Sequence, residues 1–275
     1  MQNRIDQTFQ RLRANGQKGF IAYIGAGDPD LAATEKLAIA LEQAGVDILE
    51  LGVPFSDPLA DGIVNQQAAQ RGLAAGTTLA GVLDCVRRIR ERSQLAIVIY
   101  TYMNPVYLYG FGRFLKDAET AGVDGVLLLD LPPDEDFGEF DVASNIRRIR
   151  LIAPTTPPER IATLTRRAEG FIYYVSREGV TGEQSSISNT IAEGVAAIRA
   201  TTDLPIAVGF GISTPEQARE VARHGDAAVV GSAIVRRIAE FGKEPDLPER
   251  IADFVRPLAA ATKAKSDTTG KTGGL

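Results

Sequence analysis

Residues 204–235 read LPIAVGFGISTPEQAREVARHGDAAVVGSAIV. An apolar run passes into a glycine loop, then a helical stretch closed by Gly225, then a second apolar run and a second glycine loop. A short apolar run followed by a longer helical segment is the building unit of a sheet whose parallel strands are joined by helices.

The same order recurs outward from this stretch. Apolar runs stand at 20–24, 46–51, 95–100, 123–129, 148–152, 171–175, 204–208 and 226–230. Between them lie helical segments such as LAATEKLAIALEQAG, FGRFLKDAETAG and TPEQAREVARHG, stopped by Gly45, Gly122 and Gly225. Eight such units over about 240 residues match a (β/α)8 TIM barrel. Several runs are apolar on both faces, as expected where helices cover the outside and side chains fill the centre. A doubly wound open sheet is the alternative, because alternation alone does not decide closure. Ile5, Phe9 and Leu12 at helical spacing add an N-terminal helix. The expectation is an α/β chain with one domain over 1–262, including that helix, and a small, polar, disordered tail over 263–275.

Composition narrows the chemistry. Of the 275 residues, 44% are apolar and 24% charged, an ordinary globular balance. The net charge of −5 and scattered Lys and Arg argue against a nucleic-acid surface. A phosphate ligand is still allowed, since backbone N–H groups at helix starts hold one without basic side chains. Cys85 is the only cysteine and His224 the only histidine, which excludes an intrachain disulfide and His-pair metal sites and leaves a Ser-His-Asp triad no histidine but His224. In their segments Cys85 reads as core and His224 as a charge at a helix end. No lysine stands at the mouth end of a strand, so Schiff-base chemistry and a cofactor bound through a lysine imine are disfavoured. The start lacks the apolar core of a signal peptide, and no apolar stretch is long enough to span a bilayer; a cytoplasmic protein is expected.

If the barrel closes, function belongs to the loops after each strand. VGFGIS (208–213) and VGSAIV (230–235) put Gly209, Gly211, Gly231 and Ser232 after the last two strands, where this fold commonly holds a phosphate. The polar loop SREGVTGEQSSISN after the sixth run reads as a lid or as a solvated connection. LELGVPFSDPLADG (49–62) carries three acids. Strand alternation turns Glu50 away from Leu49 and Leu51, into a barrel mouth where a raised pKa would suit acid–base work; a solvated rim acid is the ordinary alternative. Asp61 reads more commonly as a helix N-cap than as a functional acid, and Asp57 before Pro58 as a turn former. Asp130 in DLPPDE is similarly ambiguous. Tyr102 and Tyr173 either line a planar ligand or belong to the core.

LELGVPFSDPLADG, with FIAYIGAGDPD, TYMNP, GVLLLDLPPDE, LIAPTTPPERI, YYVSREGVTG, VGFGISTPEQ and VGSAIV in that order, closely resembles the tryptophan synthase alpha subunit family over nearly the whole chain. The resemblance implies a (β/α)8 lyase that cleaves indole-3-glycerol phosphate to indole and glyceraldehyde 3-phosphate. It implies no cofactor or metal in this chain, and a beta-subunit partner carrying pyridoxal phosphate in an α2β2 tetramer. Carried onto this sequence, it makes Glu50 and Asp61 catalytic. It places Tyr102, Tyr173, Thr181 and Phe210 at the substrate, and Gly182, Gly211, Gly231 and Ser232 at the phosphate. It assigns Asp57, Pro58 and Asp130 to the partner interface. The sequence departs from the family's frequent residues at Ala22, Gly25, Ile63, Asn65 and Leu129, which bears on the indole pocket and on coupling to the partner. Another phosphate-binding barrel isomerase or epimerase, a free-standing lyase, and a non-catalytic binding partner are the competing readings.

Overall fold

The computed structural model describes residues 2–132, 144–175 and 184–264, with backbone alone for 184–189. Eight parallel strands are hydrogen-bonded in sequence order, and the first pairs with the last, so the sheet is a closed barrel rather than an open doubly wound one. They are β1 (Gly19–Gly25), β2 (Ile48–Gly52), β3 (Ala96–Thr101), β4 (Gly125–Leu128), β5 (Arg147–Ile152), β6 (Ile172–Val175), β7 (Ile206–Gly209) and β8 (Ala227–Val230). Among the described residues the helices are α1 (Arg4–Ala14), α2 (Leu31–Gln43), α3 (Ile63–Ala74), α4 (Leu79–Arg90), α5 (Met103–Tyr109), α6 (Phe111–Ala121), α7 (Pro158–Arg166), α8 (Gln184–Arg199), α9 (Pro215–His224), α10 (Ser232–Phe241) and α11 (Leu247–Lys263). Residues 265–275, where the sequence suggests a tail, lie outside the described residues.

Two apolar layers follow from strand alternation. Leu49, Leu51, Ile97 and Ile99 point outward and pack under the helices, while Ile21, Ile48, Val98, Leu127 and Ile149 point inward. The inward set is closed at the N-terminal end by α1. Its Ile5, Phe9 and Leu12 join the interior cluster, and the Phe9 ring lies 5.8 Å from that of Phe171.

The connections below the strands are also built tightly. Asp47, Asp124 and Asp226 each precede a strand and accept a backbone N–H from a neighbouring one: Phe20 at 3.0 Å, Ile97 at 2.9 Å and Ile206 at 2.9 Å. Two of them tie α1 down, through Arg11–Asp47 and Arg4–Asp124 pairs at 2.9 Å each. With the bottom sealed, the open face is the one at the C-terminal ends of the strands.

Candidate active site

Glu50 is the central residue of β2, paired with Tyr23 on β1 and Val98 on β3. Its inward direction follows from its neighbours Leu49 and Leu51 being taken up by the outer layer. The side chain is 0% exposed, and neither carboxyl oxygen has a partner among the described residues. Removal from water raises its pKa from 4.5 to about 8, because burial disfavours the charged form. At neutral pH this group is mainly a protonated acid. It is not a solvated rim acid.

Asp61 belongs to the loop after β2 and is not the N-cap of α3; Gly62 occupies that position. Its carboxylate is instead turned toward two phenols. The Tyr100 hydroxyl donates to Oδ1 at 3.0 Å and the Tyr102 hydroxyl to Oδ2 at 2.8 Å. The Asn65 amide reaches Oδ1 at 3.4 Å. Tyr102 is only 4% exposed and also accepts the Ala60 N–H at 3.1 Å, so it fastens the loop rather than presenting a face to a ligand. Its phenol pKa is pushed up by burial and then by the bond to Asp61, so it stays a donor.

A cavity of about 560 Å³ opens at this face. Tyr23, Tyr100 and Tyr173 form its aromatic wall, with the Tyr23 and Tyr100 rings in edge contact at 4.9 Å. Burial, with the charges of Glu50 and Asp61, drives the Tyr23 and Tyr173 phenols well above their ordinary range, so both remain neutral. Gly52 makes room for the first of these rings: a Cβ there would lie 2.2 Å from the Tyr23 hydroxyl. Phe210, Gly211, Gly231 and Ser232 also line the cavity. Gly231 is the N-cap of α10 with no side-chain cap, so the first N–H groups of that helix are open to an anion. A Cβ on Gly211 would meet nothing within 4 Å, so that glycine leaves open space rather than relieving a clash.

Thr181 and Gly182 lie outside the described residues, as does the rest of 176–183. Asp57 and Pro58 stand on the outer side of the loop, away from the cavity lining; the Asp57 carboxylate accepts from the Ser56 hydroxyl. Asp130 accepts the Met103 N–H at 2.7 Å, holding the start of α5 to the loop after β4. Among the cavity residues with a polar or charged group, Tyr23, Tyr100 and Arg236 were not singled out from the sequence as site residues. The first two were legible in principle. Tyr23 is level with Glu50 across the sheet, and Tyr100 follows the inward Val98 by two residues. Arg236 follows Ser232 by one helical turn.

A family model described as "Tryptophan synthase alpha chain" matches residues 9–263. The tryptophan synthase alpha chain of Opitutus terrae is 50% identical over 264 residues, covering 95% of this chain and 99% of that one. The alpha chain of Geobacter sulfurreducens is 49% identical, covering 94% and 98%. Among solved structures, tryptophan synthase subunit alpha from Legionella pneumophila superposes with a TM-score of 0.88 at 36% identity, over 95% of this chain and 99% of that one. A chain of tryptophan synthase from M. tuberculosis superposes with a TM-score of 0.86 at 32% identity, over 96% and 100%.

Proposed function

The chain belongs to the tryptophan synthase alpha chain family, whose members cleave indole-3-glycerol phosphate as lyases, and from that premise we propose how its own residues divide the reaction. Glu50 is the acid and base, Asp61 the acceptor for the ring N–H, and the Gly211/Gly231/Ser232 wall the phosphate grip.

The bond to be broken joins ring carbon C3 to the first glycerol carbon. Direct heterolysis would leave a carbanion on the indole, so the ring must first be made an electron acceptor. Protonated Glu50 delivers its proton to C3, giving an indolenine whose N–H carries positive charge. The Asp61 carboxylate accepts that N–H and stabilises the charge. The resulting Glu50 carboxylate takes the proton of the adjacent glycerol hydroxyl. As the C–C bond breaks, its electron pair returns to the ring, the hydroxyl oxygen becomes the aldehyde, and Glu50 regains its proton. One group serving in both directions requires a pKa near the working pH, which its burial supplies. The phosphate meets the N-terminus of α10, and Arg236 on the cavity rim adds a positive charge with no ion pair among the described residues.

The observation that carries this reading is a carboxyl, fully buried and without a partner among the described residues, whose charge reaches the same cavity tyrosines as a phenol-held carboxylate, in a cavity that also takes in a capless helix start. Neither an isomerase nor a binding-only reading accounts for that pair of acids. Glu50→Gln keeps shape and removes proton transfer. Indole release from indole-3-glycerol phosphate should fall by at least about 10³-fold, and near-native release would refute the assignment.

The proposal extends to a partner. Indole is passed to a beta subunit bearing pyridoxal phosphate, in an α2β2 assembly, and this chain holds no cofactor of its own. Support comes from the surface beside the mouth. Leu59, Ile63, Tyr107 and Leu108 are 92%, 66%, 69% and 76% exposed, on the Asp57–Pro58 loop, the start of α3 and α5. The loop and the start of α5 are joined by the Phe55–Tyr102 ring contact at 5.4 Å and the Ala60–Tyr102 bond. Apolar surface of this kind marks an interface.

A further inference from the structure

We propose, on the reading of the site given above, that Tyr100 and Asn65 are positioning residues that hold the Asp61 carboxylate by its Oδ1 oxygen, so that it meets the substrate's ring N–H already ordered. Asp61 lies in a loop whose neighbours Ala60 and Gly62 are exposed, and among the described residues no cation pairs with it. Left alone, such a carboxylate would sample several orientations and would spend part of the transition-state stabilisation on becoming ordered. Two rigid elements prevent this from the cavity side. Tyr100 projects from the inner face of β3 and donates at 3.0 Å; Asn65, in the first turn of α3, reaches the same oxygen at 3.4 Å.

Both side chains are costly choices for packing alone. Tyr100 belongs to the aromatic wall, yet its hydroxyl is directed at Asp61 while the ring contacts Tyr23. Phenylalanine would supply the same wall. Asn65 is turned with its NH2 group toward Asp61, which leaves Oδ1 buried with no partner among the described residues. The residue borders the cavity, so a bound ligand is the available donor for that orphaned oxygen. Buried polar atoms without partners are uncommon and concentrate where function demands them. Neutral donors also suit the task. They order the carboxylate without cancelling the negative charge that the indolenine N–H must meet, as an Arg or Lys would.

The test is steady-state indole release by Tyr100→Phe and Asn65→Leu, with Glu50→Gln in parallel. Tyr100→Phe should lower kcat by about tenfold or more with KM changed less than about threefold, because order in Asp61 counts in the transition state and not in ground-state binding. Asn65→Leu should lower kcat by about threefold, in proportion to its longer contact. The double variant should lose less than the product of the two, since both act on one oxygen. Unchanged kcat in both single variants, or a rise in KM alone, overturns the inference. If Tyr100→Phe does not fold, Asn65→Leu decides by the same criterion. Full activity in Glu50→Gln would instead overturn the underlying reading, so the two failures are distinguishable.

Discussion

Two carboxylates share this mouth, and their surroundings push them toward different chemistry. Glu50 has no hydrogen-bond partner among the described residues and is fully buried, so its proton is retained up to a pKa of about 8. Asp61 is instead held by the Tyr100 and Tyr102 hydroxyls, one on each carboxyl oxygen. The Glu50 shift has a consequence for stability whose sign is fixed. Between its ordinary 4.5 and about 8, the folded chain holds a proton that the unfolded chain has released. The protein therefore loses stability as pH rises across that window, by up to ~5 kcal/mol once pH exceeds the folded value. Glu50→Gln abolishes this loss. Its urea midpoint should exceed that of the native chain, with a gap that widens from pH 5.5 to 8.5; a constant gap would contradict the burial argument. In the native enzyme kcat/KM should fall above about pH 8, as the acid form is lost. Alternation along LEL was enough to turn Glu50 inward, because a two-residue period admits only two faces. The same rule reached Tyr23 and Tyr100 too, but an inward tyrosine looks like core until the ring of strands closes and its hydroxyl has something to meet. Asp61 misled in the opposite way. An acid two residues before a helix resembles a cap, and only the backbone shows that Gly62 has taken that place.

At the scale of elements, the strands and most helices were readable because most apolar runs were bounded by glycine or proline. The short connections below the barrel were not. Gly-Val-Asp at 45–47 and 122–124 looked like minimal turns, yet their aspartates are ion-pair hubs. Asp124 is 3% exposed and accepts from Arg4 at 2.9 Å, Arg90 at 2.7 Å and the Ile97 N–H at 2.9 Å. The three glycine stops also differ physically. Gly45 and Gly122 adopt φ of 97° and 89°, a left-handed turn that side chains resist, whereas Gly225 is extended at φ −98° and is small because a Cβ would lie 2.8 Å from Val208. Asp124→Ala leaves the buried Arg90 without its carboxylate and removes one of the ties on α1. It should cost ~3 kcal/mol of unfolding free energy, and kcat for indole release should stay within about twofold, because this face is remote from the chemistry. Calorimetry paired with the release assay checks both halves. Lost activity in a chain that is still folded would show that the bottom face reaches the site.

The whole molecule is polarised. One end is stapled by ion pairs and closed by α1, and the other carries the cavity and the exposed apolar residues. The exposed apolar residues are the proposed contact with a partner protein. Leu108 on α5 tests this apart from catalysis. It is 76% exposed and does not border the cavity, while α5 is held at its start by Asp130. An aspartate there would place a desolvated charge in the proposed beta-subunit contact, a penalty of roughly 2–4 kcal/mol or 30- to 1,000-fold in affinity. Leu108→Asp alone should release indole at the native rate, and the beta-subunit concentration needed for half-maximal stimulation should rise by at least about 30-fold. Leu108→Ala, which removes area without adding charge, should fall between the two. Equal stimulation of all three chains at the same partner concentration would move the interface off α5, and with it the role assigned to the apolar surface beside the mouth.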